Sequence, residues 1–384
     1  MFVPLLLTSP NTGQFVEYKT RVYDDGLQEK RAHLFSIIFT KFHQISSNYC
    51  FIIMTNPSYI GIDIAKRTFM AAKLTEKGKY TTQNWAYETP EDIAAFIATL
   101  QPSDHCVVEA TGTYSSRLVY ALIDKGFTVS VLNPLSVKRY GQMKNITTKT
   151  DKADAVLIAK YAVSEQPQAY VLPKESSEQL TQRRMILRHL QAERLRYENQ
   201  LESIHHQARP DTFSKDFLAQ SILHIDEQMT IVKKEINKII TDDYTDMFDN
   251  LKTIPGIGDA VATAIIDGIS TFDGLDDDNA VKKFVKFAGL APTVHTSGSS
   301  VRGKSHIGRT GAPDLRQKMY MPAVSISTRG KKDNIFKSFY RSLTQRGKSA
   351  KEAIVAVMHK MLRIAIAVIK SNKPFDLEKY GKTV

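Results

Sequence analysis

Asp151 and Asp154 stand three residues apart at the start of an alanine-rich stretch, 148-TKTDKADAVLIAKYA-162, with lysines on either side. Side chains at i and i+3 share one side of an α-helix, so two carboxylates so placed repel each other unless positive charge lies between them. A hard divalent cation is one such charge, since carboxylate oxygens are its preferred ligands. Helix capping is the plainer alternative, because acids in a first turn satisfy free N–H groups and suit the helix dipole. Spacing alone leaves both readings open.

A second group sits far along the chain, in 293-TVHTSGSSVRGKSHIG-308. Ser297, Ser299, Ser300 and Ser305 are four hydroxyls in a Gly/Ser-rich stretch that reads as a loop. Arg302, Lys304 and Arg309, with Arg316 beyond, could stabilise negative charge developing on a phosphate. A serine hydroxyl is a weak nucleophile without a base or a metal, and His295 and His306 are the nearby bases. The bland reading is a surface connection. Residues 301–350 hold twelve Lys and Arg against two acids, Asp314 and Asp333, a net +10 of the chain's +12. Interleaved with Tyr320, Phe336, Phe339 and Tyr340, that block suits nucleic acid.

At 384 residues the chain can bury two or three cores. No run of eighteen apolar residues is present, so no membrane partner is expected. Cys50 and Cys106 make neither a disulfide framework nor a thiolate metal site, which fits a reducing cytoplasm and, with the basic charge, association with the nucleoid.

The elements that must position these residues follow in order. Residues 1–53 show no periodicity and read as a leader before a second methionine, Met54. YIGIDIA (59–65), TFMAAKL (68–74) and YTTQNWAYET (80–89) read as strands, and Thr89-Pro90-Glu91 starts a helix. HCVVEA (105–110) is a buried strand, 113–126 a helix, and TVSVLNP (128–134) a strand leading into the helix of Asp151 and Asp154. Three antiparallel strands followed by βα units are the plan of a ribonuclease-H-like domain, here 54–170. A dinucleotide fold would need a Gly-rich turn after its first strand, which is absent. In the ribonuclease-H plan the end of the first strand, the end of the fourth and the start of the last helix converge. Asp63, Glu109, Asp151 and Asp154 occupy those places, which favours the metal reading.

Residues 171–248 carry apolar repeats in threes, fours and sevens on both sides of Pro210, which predicts an antiparallel coiled-coil hairpin with Arg194 at a core position. Residues 249–375 read as a mostly helical domain. It opens with LKTIPGIGDAVATAII, a helix-hairpin-helix pattern whose Gly256 and Gly258 would let backbone N–H groups approach a phosphate.

With both motif sets in place, the chain resembles the DEDD transposases of the insertion sequence 110 group and the related Piv/MooV DNA invertases. The resemblance rests on GIDIAK (61–66), VVEATGTY (107–114), VLNP (131–134) and KTDKADA (149–155), then IPGIG (254–258), FAGLAP (287–292) and SGSSVRGKSHIGRTGAPDLR (297–316). It spans nearly all of 54–375. It implies a RuvC-like catalytic domain in which Asp63, Glu109, Asp151 and Asp154 hold Mg²⁺, and a C-terminal serine that forms a covalent phosphoserine with DNA. In the family pattern that serine precedes a glycine soon after a GLAP-like turn, which matches Ser297-Gly298, with Ser299 and Ser300 behind it. The resemblance further implies a composite site, homodimers pairing into tetramers on duplex DNA, and for the insertion-sequence members a structured guide, the bridge RNA; a Piv-like invertase would act without one. A RuvC-like junction nuclease would hydrolyse with water and need no serine loop, and a purely architectural DNA-binding protein would need no metal. A sugar-kinase-like ATPase, faintly suggested by GIDIAK, lacks a Gly-rich phosphate loop.

Overall fold

The structure is a computed structural model of the chain. It describes residues 2–8, 15–21, 58–110, 112–146, 149–272, 279–293, 296–297, 301–302, 306–308, 311–329 and 333–381. They divide into two compact units, Met1–Tyr170 and Val171–Val384.

The first unit is built on a five-stranded mixed sheet. Strands β3 (Ser58–Ile64), β4 (Thr68–Leu74) and β5 (Tyr80–Ala86) form an antiparallel meander, and β6 (Asp104–Glu109) and β7 (Thr128–Leu132) add in parallel on the far side of β3. Alternation sorts side chains to two faces. Ile60, Ile62, Ile64, Cys106 and Val108 join a core with Ile93 and Phe96 of α1 (Pro90–Ile97) and Leu118 and Leu122 of α2 (Ser116–Asp124). The opposite face carries Gly61, Asp63, Val107 and Glu109, and there Val107 packs with Leu157 and Ile158 of α4 (Asp151–Glu165).

The chain does not pass straight from β7 to the helix of Asp151 and Asp154, as the sequence pattern suggested. A ten-residue helix, α3 (Pro134–Met143), intervenes. Its start lies in VLNP: Asn133 caps it by accepting from the Leu135 N–H, and Pro134 occupies the first turn, where a missing N–H costs nothing. Within the leader, where no ordered pattern was expected, β1 (Phe2–Thr8) and β2 (Phe15–Arg21) pair as an antiparallel hairpin.

The second unit opens with two long helices, α5 (Glu175–His205) and α6 (Thr212–Asp243), which run antiparallel on either side of Pro210. Arg183 reaches the Glu235 carbonyl at 2.9 Å, and Arg194 reaches Asp226 at 2.7 Å, a reversed register. Arg194 also pairs with Glu198, so its charge on the helix seam is fully answered. Leu180, Ile236, Ile239 and Ile240 at the open end of this hairpin enter the core of a helical bundle. That bundle comprises α7 (Thr245–Lys252), α8 (Asp259–Ser270), α9 (Ala280–Phe287), α10 (Pro313–Val324), α11 (Ile335–Gln345) and α12 (Ala350–Ser371); α13 (Leu377–Gly381) follows. Arg184 of α5 pairs with Asp267 of α8 and Asp314 of α10, tying the hairpin to the bundle.

The stretch read as a loop at 293–308 contains strands instead. β8 (Pro292–Thr293) pairs with β11 (His306–Ile307), and inside that pair β9 (Thr296–Ser297) pairs with β10 (Val301–Arg302). Among the described residues no helix is long and apolar enough to cross a membrane.

Candidate active site

Asp63 and Glu109 lie at the carboxyl ends of two adjacent parallel strands. The register pairs Ile62 with Val108, so the next residues, Asp63 and Glu109, fall side by side on the α4 face. Asp151 and Asp154 occupy the first turn of α4. The helix is capped by Thr150, whose hydroxyl accepts from the Ala153 N–H at 3.2 Å, while the Thr150 carbonyl accepts from Asp154 N–H. Capping therefore does not need either aspartate side chain, and both are left over for chemistry.

Gly61 brings these acids into one neighbourhood. A Cβ there would lie 2.3 Å from the Ala155 carbonyl oxygen and 2.3 Å from the Ala159 nitrogen, so α4 rests directly on the backbone of β3. Only glycine permits that approach. Ala155, Ala159 and Ala162 present small side chains along the same helix and are fully buried. The sequence reading quoted Gly61 within GIDIAK without giving it a role; its proximity to an alanine-rich helix was visible only once the two elements were folded together.

The carboxylates influence one another strongly. Asp63 is half-buried, and its pKa is pushed up to about 6, first by desolvation and then by the charges of Asp154 and Asp151; the Ile64 N–H and Lys149 act in the opposite direction. Burial, then Asp63 and Asp154, raise Glu109. Burial likewise raises Asp154, against a lowering by Lys149. Lys149 thus faces three of the four acids, a further feature that the sequence reading left without a role. Among the described residues no three His, Cys, Asp or Glu side chains are close enough to hold one ion as they stand. The donor set nevertheless fits a hard divalent cation: oxygen ligands only, partly desolvated, with mutual repulsion that such a cation would relieve.

Two transposase family models match the chain in succession. A DEDD-type model described as a transposase covers residues 60–210, and one described as the transposase IS116/IS110/IS902 family covers 248–341. The pilin gene-inverting protein of Moraxella bovis is 34% identical over 331 residues, 83% of this chain and 98% of that relative. Its counterpart in Moraxella lacunata matches to the same extent. An insertion element IS110 protein of 43.6 kDa from Streptomyces coelicolor is 26% identical over 159 residues, 41% of this chain and 37% of the relative.

The chain belongs to the IS110 transposase family. It is therefore a DNA transposase or recombinase, of a family that uses a divalent metal, and its mixed sheet is consistent with a RuvC-like DEDD domain.

The other sequence-derived site residues of the transposase lie in its second unit. Ser297 ends β9 and pairs with Val301 of β10. Arg302 is on the facing strand β10. Ser299, Ser300, Ser305, Lys304, Arg309 and His295 lie outside the described residues. Arg316 has a structural partner, donating to the Ala288 carbonyl at 3.1 Å at the end of α9. Gly256 takes a left-handed φ of 85° between α7 and α8, where an added Cβ would lie 3.3 Å from the side chains of Ile326 and Met361, and Gly258 caps α8 in open space. Lys252 and Asp259 bridge the same turn at 2.8 Å.

Proposed function

We propose that the transposase exchanges strands of duplex DNA through a covalent phosphoserine on Ser297, assisted by Mg²⁺ held by Asp63, Glu109, Asp151 and Asp154. The observation that supports this reading is the electrostatic influence that Asp63, Glu109, Asp151 and Asp154 exert on one another near the ends of β3 and β6, in a chain of this family. Bound there, Mg²⁺ would neutralise charge on the phosphate oxygens. Ser297 Oγ bonds to a DNA phosphorus as a deoxyribose hydroxyl leaves with the bonding pair and gains a proton, while the serine loses one. A hydroxyl of the partner strand then attacks the phosphoserine and gives up its proton, and Ser297 Oγ is reprotonated as it leaves. One phosphodiester forms for each one broken, so no external energy source is required. Arg302 and Lys304 neutralise the charge that develops on the phosphate. The turn of Gly256 and Gly258, read as a helix-hairpin-helix, contacts a phosphate through backbone N–H groups, with Arg309 and Arg316 as further nucleic-acid contacts.

The hairpin of α5 and α6 serves as a coiled coil for homodimers that pair into tetramers on DNA. Leu195, Leu223 and Ile231 support this, being more than half exposed on its outer surface. A structured guide RNA belongs to the insertion-sequence form of the reading. A second form, inversion without a guide, is favoured by the full-length similarity to pilin gene-inverting proteins; RNA co-purifying with the active protein and required for it would exclude that form.

The test is to trap protein–DNA adducts. Ser297→Ala should bind duplex DNA as the unaltered chain does and yield no adduct. An adduct from that variant mapped to Ser299, Ser300 or Ser305 would move the nucleophile. Metal-dependent cleavage with no adduct from the unaltered chain would instead indicate a RuvC-like hydrolase, and no cleavage at all an architectural protein.

A further inference from the structure

Helix α12 carries a positive stripe to which the strand-exchange reading gives no part. Its inner face, with Ile354, Val357, Met358, Met361, Leu362 and Ala365, is buried in the bundle core, which fixes the rotation of the helix. His359 and Lys360 are consequently half-buried at the edge of that face, and Arg363 is exposed one turn on. Lys360 Nζ lies 4.8 Å from the centroid of the Phe339 ring on α11, a cation–π contact that holds the ammonium in place. From Ala353 to Phe375 the sequence contains no Asp or Glu.

We propose that Lys360 and Arg363, with His359 beside them, form a docking surface for the sugar–phosphate backbone of duplex DNA. The proposal rests on the reading of the chain as a DNA recombinase, and it concerns residues beyond the 248–341 covered by the C-terminal family model. Charge complementarity names the occupant, and rigidity narrows it. Cations fixed on a packed helix suit the regular phosphates of a duplex, whereas a single strand is bound through exposed aromatic rings on which bases stack. Here the Phe339 face is already covered by Lys360. Crowding of the cations supports the assignment: burial and then Arg363 lower the pKa of both Lys360 and His359, a cost that an adjacent phosphate would offset.

The experiment measures binding of the full chain to a duplex of about 30 base pairs over a range of salt concentrations, for the unaltered protein and for Lys360→Gln/Arg363→Gln. Each lost phosphate contact should reduce the slope of log affinity against log salt by about 0.9. The double variant should therefore show a slope smaller by about 2 and roughly tenfold weaker binding at low salt, with its helical circular dichroism unchanged. Lys360→Arg/Arg363→Lys should keep the original slope. Should the double variant fold poorly, Arg363→Gln alone, at an exposed position, should reduce the slope by about 1. An unchanged slope in folded variants overturns the docking surface and leaves the recombinase reading intact. Weakened binding of a structured RNA with duplex binding unchanged overturns the assignment to DNA. Failure of the unaltered chain to bind any duplex overturns both.

Discussion

Asp63 combines partial burial with two like charges, and its carboxyl therefore titrates near 6 instead of in the usual carboxylate range. The sign of the consequence follows from linkage. A carboxyl whose folded pKa is raised binds its proton more tightly in the folded state, so its contribution to stability is complete below pH 4 or so and is lost as pH rises through about 6. Metal-free Asp63→Asn, which has nothing to ionise there, should be more stable than the unaltered chain at pH 7.5 by on the order of 1 kcal/mol, a figure discounted for the partial exposure of the site. The difference should shrink as the pH falls from 7.5 to 4.5. Thermal melts of both proteins across that range check it, and a constant difference would contradict the assignment. Activity has the opposite sense. Asp63→Asn should lose strand transfer by far more than tenfold, roughly 1.4 kcal/mol of barrier, and the unaltered enzyme should slow as pH drops below about 6.

The pairing of α4 with β3 is the element on which the candidate site depends. Thr150 starts the helix at the right residue, and Gly61 lets it settle onto the strand, so that Asp154 and Asp151 come within electrostatic reach of Asp63. Gly61→Ala would place a methyl group against backbone atoms that cannot turn aside. Overpacking of this kind costs about 1–3 kcal/mol and displaces the helix. The variant should melt several degrees lower and lose strand transfer by at least about tenfold, while duplex binding through the second unit changes little. A variant with an unshifted melting temperature and full activity would show that α4 is not seated on β3 as described. The alternation of β3 and β6 was legible from their apolar runs, and so was the start of α4. The closeness of the contact was not, because a glycine in a strand has several possible causes, among them a bulge or a ligand.

For the molecule as a whole, residues 1–53 are the segment whose removal is predicted to be tolerated. Its two strands pair with each other, and the five-stranded sheet is complete without them. Deletion of residues 1–53 should leave expression, DNA binding and recombination unchanged, as measured by an inversion or excision assay in cells. Loss of soluble protein would show that the hairpin packs on the domain that follows.

What the sequence by itself determined was the chemistry and its order along the chain: acids at strand ends and at a helix start, an apolar seam broken by Pro210, a glycine turn at 254–258 and a basic block from 301 to 350. These are local properties, set by residue type and by periods of two and of three to four. Tertiary structure decided how far that chemistry is coupled. The pKa of Asp63 depends on acids from a helix some ninety residues away; the pairing of Arg184 with both Asp267 and Asp314 needs three helices brought together; and the fixed cation of Lys360 needs Phe339 beneath it. None of these follows from spacing, because each arises where separately encoded faces meet, and the free energy of such a meeting is set by distance and desolvation in the packed chain.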